Sequence, residues 1–197
     1  PDTFWSFKHV VRLVSRKSAF PPLGLLTVSA LLPDEWERRL VDVNVSTLTN
    51  KDLEWADYVF IGAMSVQSES ARQVLDRCMS IEKIIVAGGP LFTGDPDAWS
   101  QIDHLVLNEA EITLPWFLAD LEKGVPQKVY QSDEFADIQL TPPPDYSLID
   151  ASDYAQLSLQ YSRGCPYDCE FCEITALLGR KVRLKSTQQI LQHVLTE

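Results

Sequence analysis

With 197 residues and a formal net charge of −11, the chain has room for one medium domain, or for one domain and part of another. The acidic balance argues against nucleic acid as the main partner, because phosphate backbones are held by clustered Lys and Arg. No apolar run approaches the roughly 20 residues of a membrane span, and no basic segment followed by an apolar core marks a secretion signal. Four cysteines, three of them in one short stretch, fit a reducing, cytoplasmic setting better than a disulfide framework.

In chain order, the aromatic residues Phe4, Trp5 and Phe7 read equally well as core anchors or as the wall of a ligand site. Residues 23–31 predict a helix, since Pro21-Pro22 stands where proline suits a helix start. Residues 39–43, 58–61, 83–87 and 104–107 are short, β-rich apolar runs of the kind that forms buried parallel strands. Between them, Thr49-Asn50-Lys51-Asp52 has capping-box form and opens a brief helix through Trp55. Ala71, Val74, Leu75 and Cys78 recur at i, i+3, i+4 and i+7, which puts Cys78 on the buried face of a helix over 68–79. A further helix is predicted over 112–123, with Gly124 just past its end as a C′ residue.

This β–α alternation predicts an open, doubly wound parallel sheet with helices on both faces. Such sheets bind ligands at the carboxyl ends of their strands. The segments to watch are therefore Gly62-Ala63-Met64-Ser65-Val66, Gly88-Gly89-Pro90-Leu91 and Asn108-Glu109-Ala110-Glu111. Gly88-Gly89 permits close approach of backbone to a large ligand, and equally suits a plain tight turn. Glu109 and Glu111 suit contacts to cofactor amides, or service as carboxylates at a helix N-terminus.

The pattern breaks after residue 126. Thr141-Pro142-Pro143-Pro144-Asp145 reads as extended chain, so residues 127–152 are expected to be a linker. Residues 155–161 then alternate with period two, as a strand does, and run into Ser162-Arg163-Gly164-Cys165-Pro166-Tyr167-Asp168-Cys169-Glu170-Phe171-Cys172. Three thiolates in one tight loop form a soft, anionic metal site. A closed zinc knuckle needs a fourth ligand, for which Cys78 and His193 are the available donors. A cubane iron–sulfur cluster has four irons, so three cysteines leave one iron open for chemistry. The basic run Arg180-Lys181-Val182-Arg183-Leu184-Lys185 reads as a solvated turn or as contact with an anionic ligand. Ser186-Thr187-Gln188-Gln189 caps a last amphipathic helix carrying Ile190, Leu191, Val194 and Leu195, with His193 on its solvated side. One strand, one loop and one helix cannot close a barrel, so the second domain, 153–197, is expected to be cut within its first βα unit.

The Cys-x3-Cys-x2-Cys loop, with an aromatic residue before its last cysteine, resembles the signature of radical S-adenosylmethionine (SAM) enzymes. An N-terminal α/β domain, a proline linker and that loop together resemble the branch carrying a cobalamin-binding domain. Phe4-Trp5-Ser6-Phe7, Pro22-Leu23-Gly24-Leu25, Trp55-Ala56-Asp57, Gly88-Gly89-Pro90, Glu109-Ala110-Glu111 and Tyr161-Ser162-Arg163-Gly164-Cys165-Pro166 are similar to the group around the hopanoid C-2 methylase. The resemblance implies a Rossmann-like cobalamin-binding domain over 1–126 and the opening βα unit of a radical SAM barrel. It implies a 4Fe–4S cluster on Cys165, Cys169 and Cys172, and SAM cleaved to a 5′-deoxyadenosyl radical beside Phe171, near the adenine. It also implies cobalamin against Ser65, Gly88, Gly89, Pro90 and Glu109, and methyl transfer to an unactivated carbon of a small-molecule or lipid substrate. An electron donor such as flavodoxin or ferredoxin would feed the cluster. The Asp-x-His-x-x-Gly run that supplies a histidine to cobalt is absent: His9 precedes Val10-Val11-Arg12, and His104 precedes Leu105-Val106-Leu107. Cobalamin without a histidine lower ligand is therefore expected. No catalytic residue is assigned, and this piece alone is expected to be inactive. A cyclising or rearranging enzyme with the same cofactors, or a non-catalytic metal-stapled binding module, would share these features.

Overall fold

The computed structural model describes residue 11 and residues 13–195, with side chains described as far as Gln192. Phe4, Trp5, Phe7 and His9, and the side chain of His193, lie outside the described residues. Among the described residues, four strands form one sheet: β1 (Tyr58–Gly62), β2 (Ile84–Gly88), β3 (His104–Val106) and β4 (Val129–Tyr130). They pair in the order β1-β2-β3-β4, every pair parallel, with Phe60 opposite Val86, Ala87 opposite Leu105 and Val106 opposite Tyr130.

Both faces of the sheet are covered, and strand alternation shows why. Ile85, Ala87, Leu105 and Leu107 point into one core with Leu75, Cys78, Phe92 and Trp99, while Val86 and Val106 point into another with Leu114, Phe117 and Tyr130. Helices α1 (Leu23–Ser29), α2 (Asn50–Trp55), α3 (Ser68–Ser80), α4 (Pro90–Gly94) and α5 (Ala110–Glu122) lie between and around these strands. The α3 stripe buries Ala71, Leu75 and Cys78 as the periodicity predicts, and burial pushes the Cys78 thiol pKa up. The Thr49 capping box is present, with Asp52 N–H donating to the Thr49 hydroxyl at 3.3 Å and Thr49 N–H to the Asp52 carboxylate at 2.9 Å. Gly124 follows α5 at φ 73°. An α/β sheet with helices on both faces is thus observed as expected.

Three segments depart from the sequence reading. Residues 39–43 form no strand. Asp42 accepts from Asn44 N–H at 2.9 Å and from the Tyr154 hydroxyl at 3.1 Å, and its carbonyl takes the amides of Val45 and Ser46. A local Asx turn therefore satisfies the backbone that a strand would need free. Residues 155–161 alternate in sequence but pair with no strand. Ala155 and Gln156 donate instead to the carbonyls of Ser18 and Ala19. Pairing begins only at β5 (Ser162–Arg163), antiparallel to β6 (Arg183–Leu184). Finally, Val129 and Tyr130, expected in the linker, are the fourth strand.

The rest of the connecting stretch packs down. Ala136, Ile138 and Thr141 are buried, Asp145 N–H donates to Leu26 O at 3.0 Å, and Ser29 Oγ donates to the Asp145 carboxylate at 3.0 Å. Beyond it, helix α6 (Ile174–Leu178) follows the cysteine loop and α7 (Thr187–Leu195) follows β6. Gln189 N–H donates to Ser186 Oγ at 3.2 Å, so the expected cap on α7 is present. Among the described residues, no helix is long and apolar enough to cross a membrane.

Candidate cofactor site at the carboxyl edge

The carboxyl ends of β1, β2 and β3 release three loops side by side. After β1, Ser65 is exposed at the head of a short 3-10 turn, flanked by the half-exposed side chains of Met64 and Val66. After β2, Gly89 takes φ 91° and Pro90 opens α4 at its first position. Leu91 N–H donates to Ala63 O at 3.1 Å, tying the first two loops together. Gly88 has a structural need of its own: a Cβ there would lie 2.4 Å from Val106 O on the adjacent strand. The sheet itself therefore needs that missing side chain.

After β3, Asn108 adopts φ 62° in the left-handed region, where Asn is tolerated, and its N–H donates to Thr93 Oγ1 at 2.9 Å. Its Oδ1 is buried without a hydrogen-bond partner, at the edge where such sheets receive ligands. An orphaned amide acceptor beside an open, partly apolar rim fits a large cofactor edged with amide groups. His104 sits at the opposite end of β3, with Nδ1 2.7 Å from Gln127 O and its ring packed on Phe117.

The cysteine loop is held at its two ends. Gly164, at φ 86°, has no room for a side chain, since a Cβ would lie 2.3 Å from Lys181 O. Cys165 N–H donates to Gly179 O at 3.0 Å, and Cys172 N–H to Cys169 O at 3.1 Å. All three thiols are free, with Cys169 exposed and Cys165 and Cys172 partly so. The described residues contain no group of three or more Cys, His, Asp or Glu already gathered about one metal position. Three soft thiolate donors on one accessible turn nevertheless suit an iron–sulfur cluster by donor chemistry. Phe171 is 91 % exposed beside them. Cys78, the alternative fourth zinc ligand, is instead packed among Leu75, Ile85 and Trp99 in the sheet core.

Between these two regions lies a buried ionic lattice. Glu109 and Glu111 stand at the start of α5; Arg163 and Arg183 are cross-strand partners in the β5–β6 ribbon that brackets the cysteine loop. Arg183 grips Glu109 with both terminal nitrogens at 2.7 and 2.6 Å, and Arg163 grips Glu111 at 3.0 and 2.6 Å. Arg163 also comes within 3.5 Å of Glu109. Side-chain exposures run only from 2 % at Glu109 to 15 % at Arg183. Ala136 N–H donates to Glu109 at 2.8 Å, Arg183 donates to the carbonyls of Ala136 and Leu178, and Thr141 Oγ1 donates to Glu111 at 2.8 Å. Burial pushes the Glu111 carboxyl up, but hydrogen bonds and charge from Arg163 and the Thr141 bond outweigh it and leave it below the usual carboxylate range. Lys185, also buried, is pushed down by burial and by Arg163.

Sequence reasoning singled out Glu109 and Glu111 and, separately, the basic run 180–185, but it did not join them. A signal was present: Arg183 and Lys185 alternate with Val182 and Leu184, a two-faced strand pattern whose charged face has to meet counter-charges if it turns inward. Arg163, in the stretch leading into the first cysteine, has no distinguishing signal in the sequence. Ser65 lies 3.5 Å from Glu173, just past the last cysteine, so the β1 loop also reaches the cysteine segment.

An α/β sheet with ligand-ready loops along its carboxyl edge defines a cofactor-binding domain. The family description "B12 binding domain" matches residues 9–118, more than half of the chain, and the chain belongs to that family. An uncharacterised methyltransferase of Synechocystis is 42 % identical over 98 % of the chain, and the hopanoid C-2 methylase of Rhodopseudomonas palustris is 38 % identical over 96 %. A bacteriochlorophyllide d C-8(2)-methyltransferase of Chlorobaculum tepidum is 26 % identical over 89 %. The chain spans 37 % of the length of the first two relatives and 40 % of the third.

Proposed function

We propose that this chain is the cofactor-bearing part of a cobalamin-dependent methyltransferase of the radical SAM type. Membership of the B12-binding family carries the first half of that reading, and the methyltransferase names of its relatives support the second. The cysteine spacing and donor chemistry support the radical SAM part.

In this reading Ser65, Gly89 and Pro90 form the rim that receives cobalamin, and Asn108 Oδ1 accepts from one of its side-chain amides. No histidine reaches cobalt from the described sheet, because His104 is engaged at the amino end of β3. Cys165, Cys169 and Cys172 would hold a 4Fe–4S cluster, and Phe171 would offer its exposed ring to the adenine of SAM. When bound, the cluster supplies the electron that cleaves SAM, and cobalamin carries the methyl group. The chain's own contribution is to seat both groups and keep the thiols available. We place the enzyme in the cytoplasm, fed by a flavodoxin- or ferredoxin-like donor and acting on an apolar small molecule or lipid.

The full-length protein, given SAM labelled in its methyl group and a reductant, is expected to transfer the label to a carbon of its substrate. Consumption of SAM with a rearranged, unlabelled product would replace methyl transfer by cyclisation or rearrangement.

A further inference from the structure

We infer that Glu109 and Glu111 are positioning residues: with Arg183 and Arg163 they set the orientation of the cysteine loop over the carboxyl edge, and so the separation of the two cofactor seats. The inference rests on the proposed function for the identity of the seats, but the lattice itself is a fact of the fold. It also gives Glu109 a role other than touching cobalamin.

Three observations carry it. First, both arginines lie at paired positions of one ribbon, and both acids lie two residues apart where the chain leaves β3 and enters α5. One sheet terminus therefore holds one hairpin at two adjacent points, which fixes direction as well as contact. Second, each grip is bidentate, and planar fork-to-carboxylate pairing restricts angle far more than a single point charge does. Third, the ribbon's two ends flank the loop: Arg163 is two residues before Cys165, and Arg183 follows α6, which leaves the loop's far end. The groups facing the lattice are Lys185, whose charge adds to the arginines, and the neutral Thr141 and Gln160. A buried ion pair is a poor device for stability, since apolar residues of similar size often serve as well. Its directional constraint is what those replacements lack.

The test uses the full-length protein loaded with cluster and cobalamin, reading the distance between reduced cluster and cob(II)alamin by pulsed paramagnetic resonance. The double variant Glu111→Met/Arg163→Met should keep a near-native melting temperature and both cofactors, while the distance distribution broadens about twofold or more. Glu109→Gln should keep cobalamin and broaden the same distribution. A cofactor-free readout separates this inference from the proposed function. In Glu111→Gln, amide exchange in residues 162–184 should quicken on the order of tenfold, with the β1–β2 amides unchanged. If wild type binds no cobalamin but this exchange pattern holds, the cofactor reading fails and the clamp stands. Unchanged distances and unchanged exchange overturn the inference. So does loss of cobalamin from Glu109→Gln at an unaltered exchange rate, or loss of folding in every variant, which would make the lattice merely structural.

Discussion

Replacing Cys169 by Ala is expected to empty the cysteine loop of iron. After anaerobic reconstitution the unaltered chain should hold about four irons, as a cubane cluster requires. The variant should hold less than about one, because two remaining thiolates cannot retain a cubane. Cys165→Ala and Cys172→Ala should behave alike. Cys78→Ala is the control: that thiol is buried in the sheet core, so its loss should cost stability and leave iron untouched. Iron and acid-labile sulfide, with the broad visible absorption of the cluster, are the quantities to measure. Zinc in place of iron would move the loop to the metal-stapled binding module, and iron unchanged in all three variants would contradict a cluster on these cysteines.

Phe117→Ala is expected to lower unfolding free energy by about 3–5 kcal/mol, in the range for deleting a fully buried aromatic ring. The ring is 0 % exposed and meets Phe60 and Tyr130 edge-on, with His104 tilted against it at 5.2 Å. It joins α5 to the sheet on the face opposite Trp99. Since α5 begins with the Glu109–Glu111 segment, the same cavity should loosen the acids' grip on Arg163 and Arg183. Urea unfolding measures the cost, and a loss below about 1 kcal/mol would mean that the site collapses around the gap.

The sheet was legible in the sequence where one rule acted alone. Residues 58–61, 83–87 and 104–107 are short β-rich runs whose side chains alternate between the two cores, and the α3 stripe through Cys78 has a clean helical period. Val129-Tyr130 was not legible, because a two-residue strand carries no periodicity; it forms because Tyr130 fits beside Phe117. Residues 39–43 misled for the opposite reason: the apolar run is genuine, but Asp42 and Asn44 prefer a local turn.

At the candidate site, the cysteine loop was plain from spacing, and the three post-strand loops followed from the rule for open sheets. The link between them was hidden by inverted polarity. In β6 and its flanks, Arg183 and Lys185 turn inward, whereas Val182 and Leu184 are 43 % and 46 % exposed. A sequence pattern reads charge as surface, and only tertiary pairing with Glu109 reverses that. Asn108 was similarly quiet, since an unpaired carbonyl oxygen has no signature in sequence.

The most direct test of the central claim is an anaerobic titration of the full-length protein with hydroxocobalamin, followed by gel filtration and a visible spectrum. The account predicts cobalamin co-eluting with the protein, with a spectrum that lacks a nitrogen lower ligand. Elution of the protein free of cobalamin would contradict it.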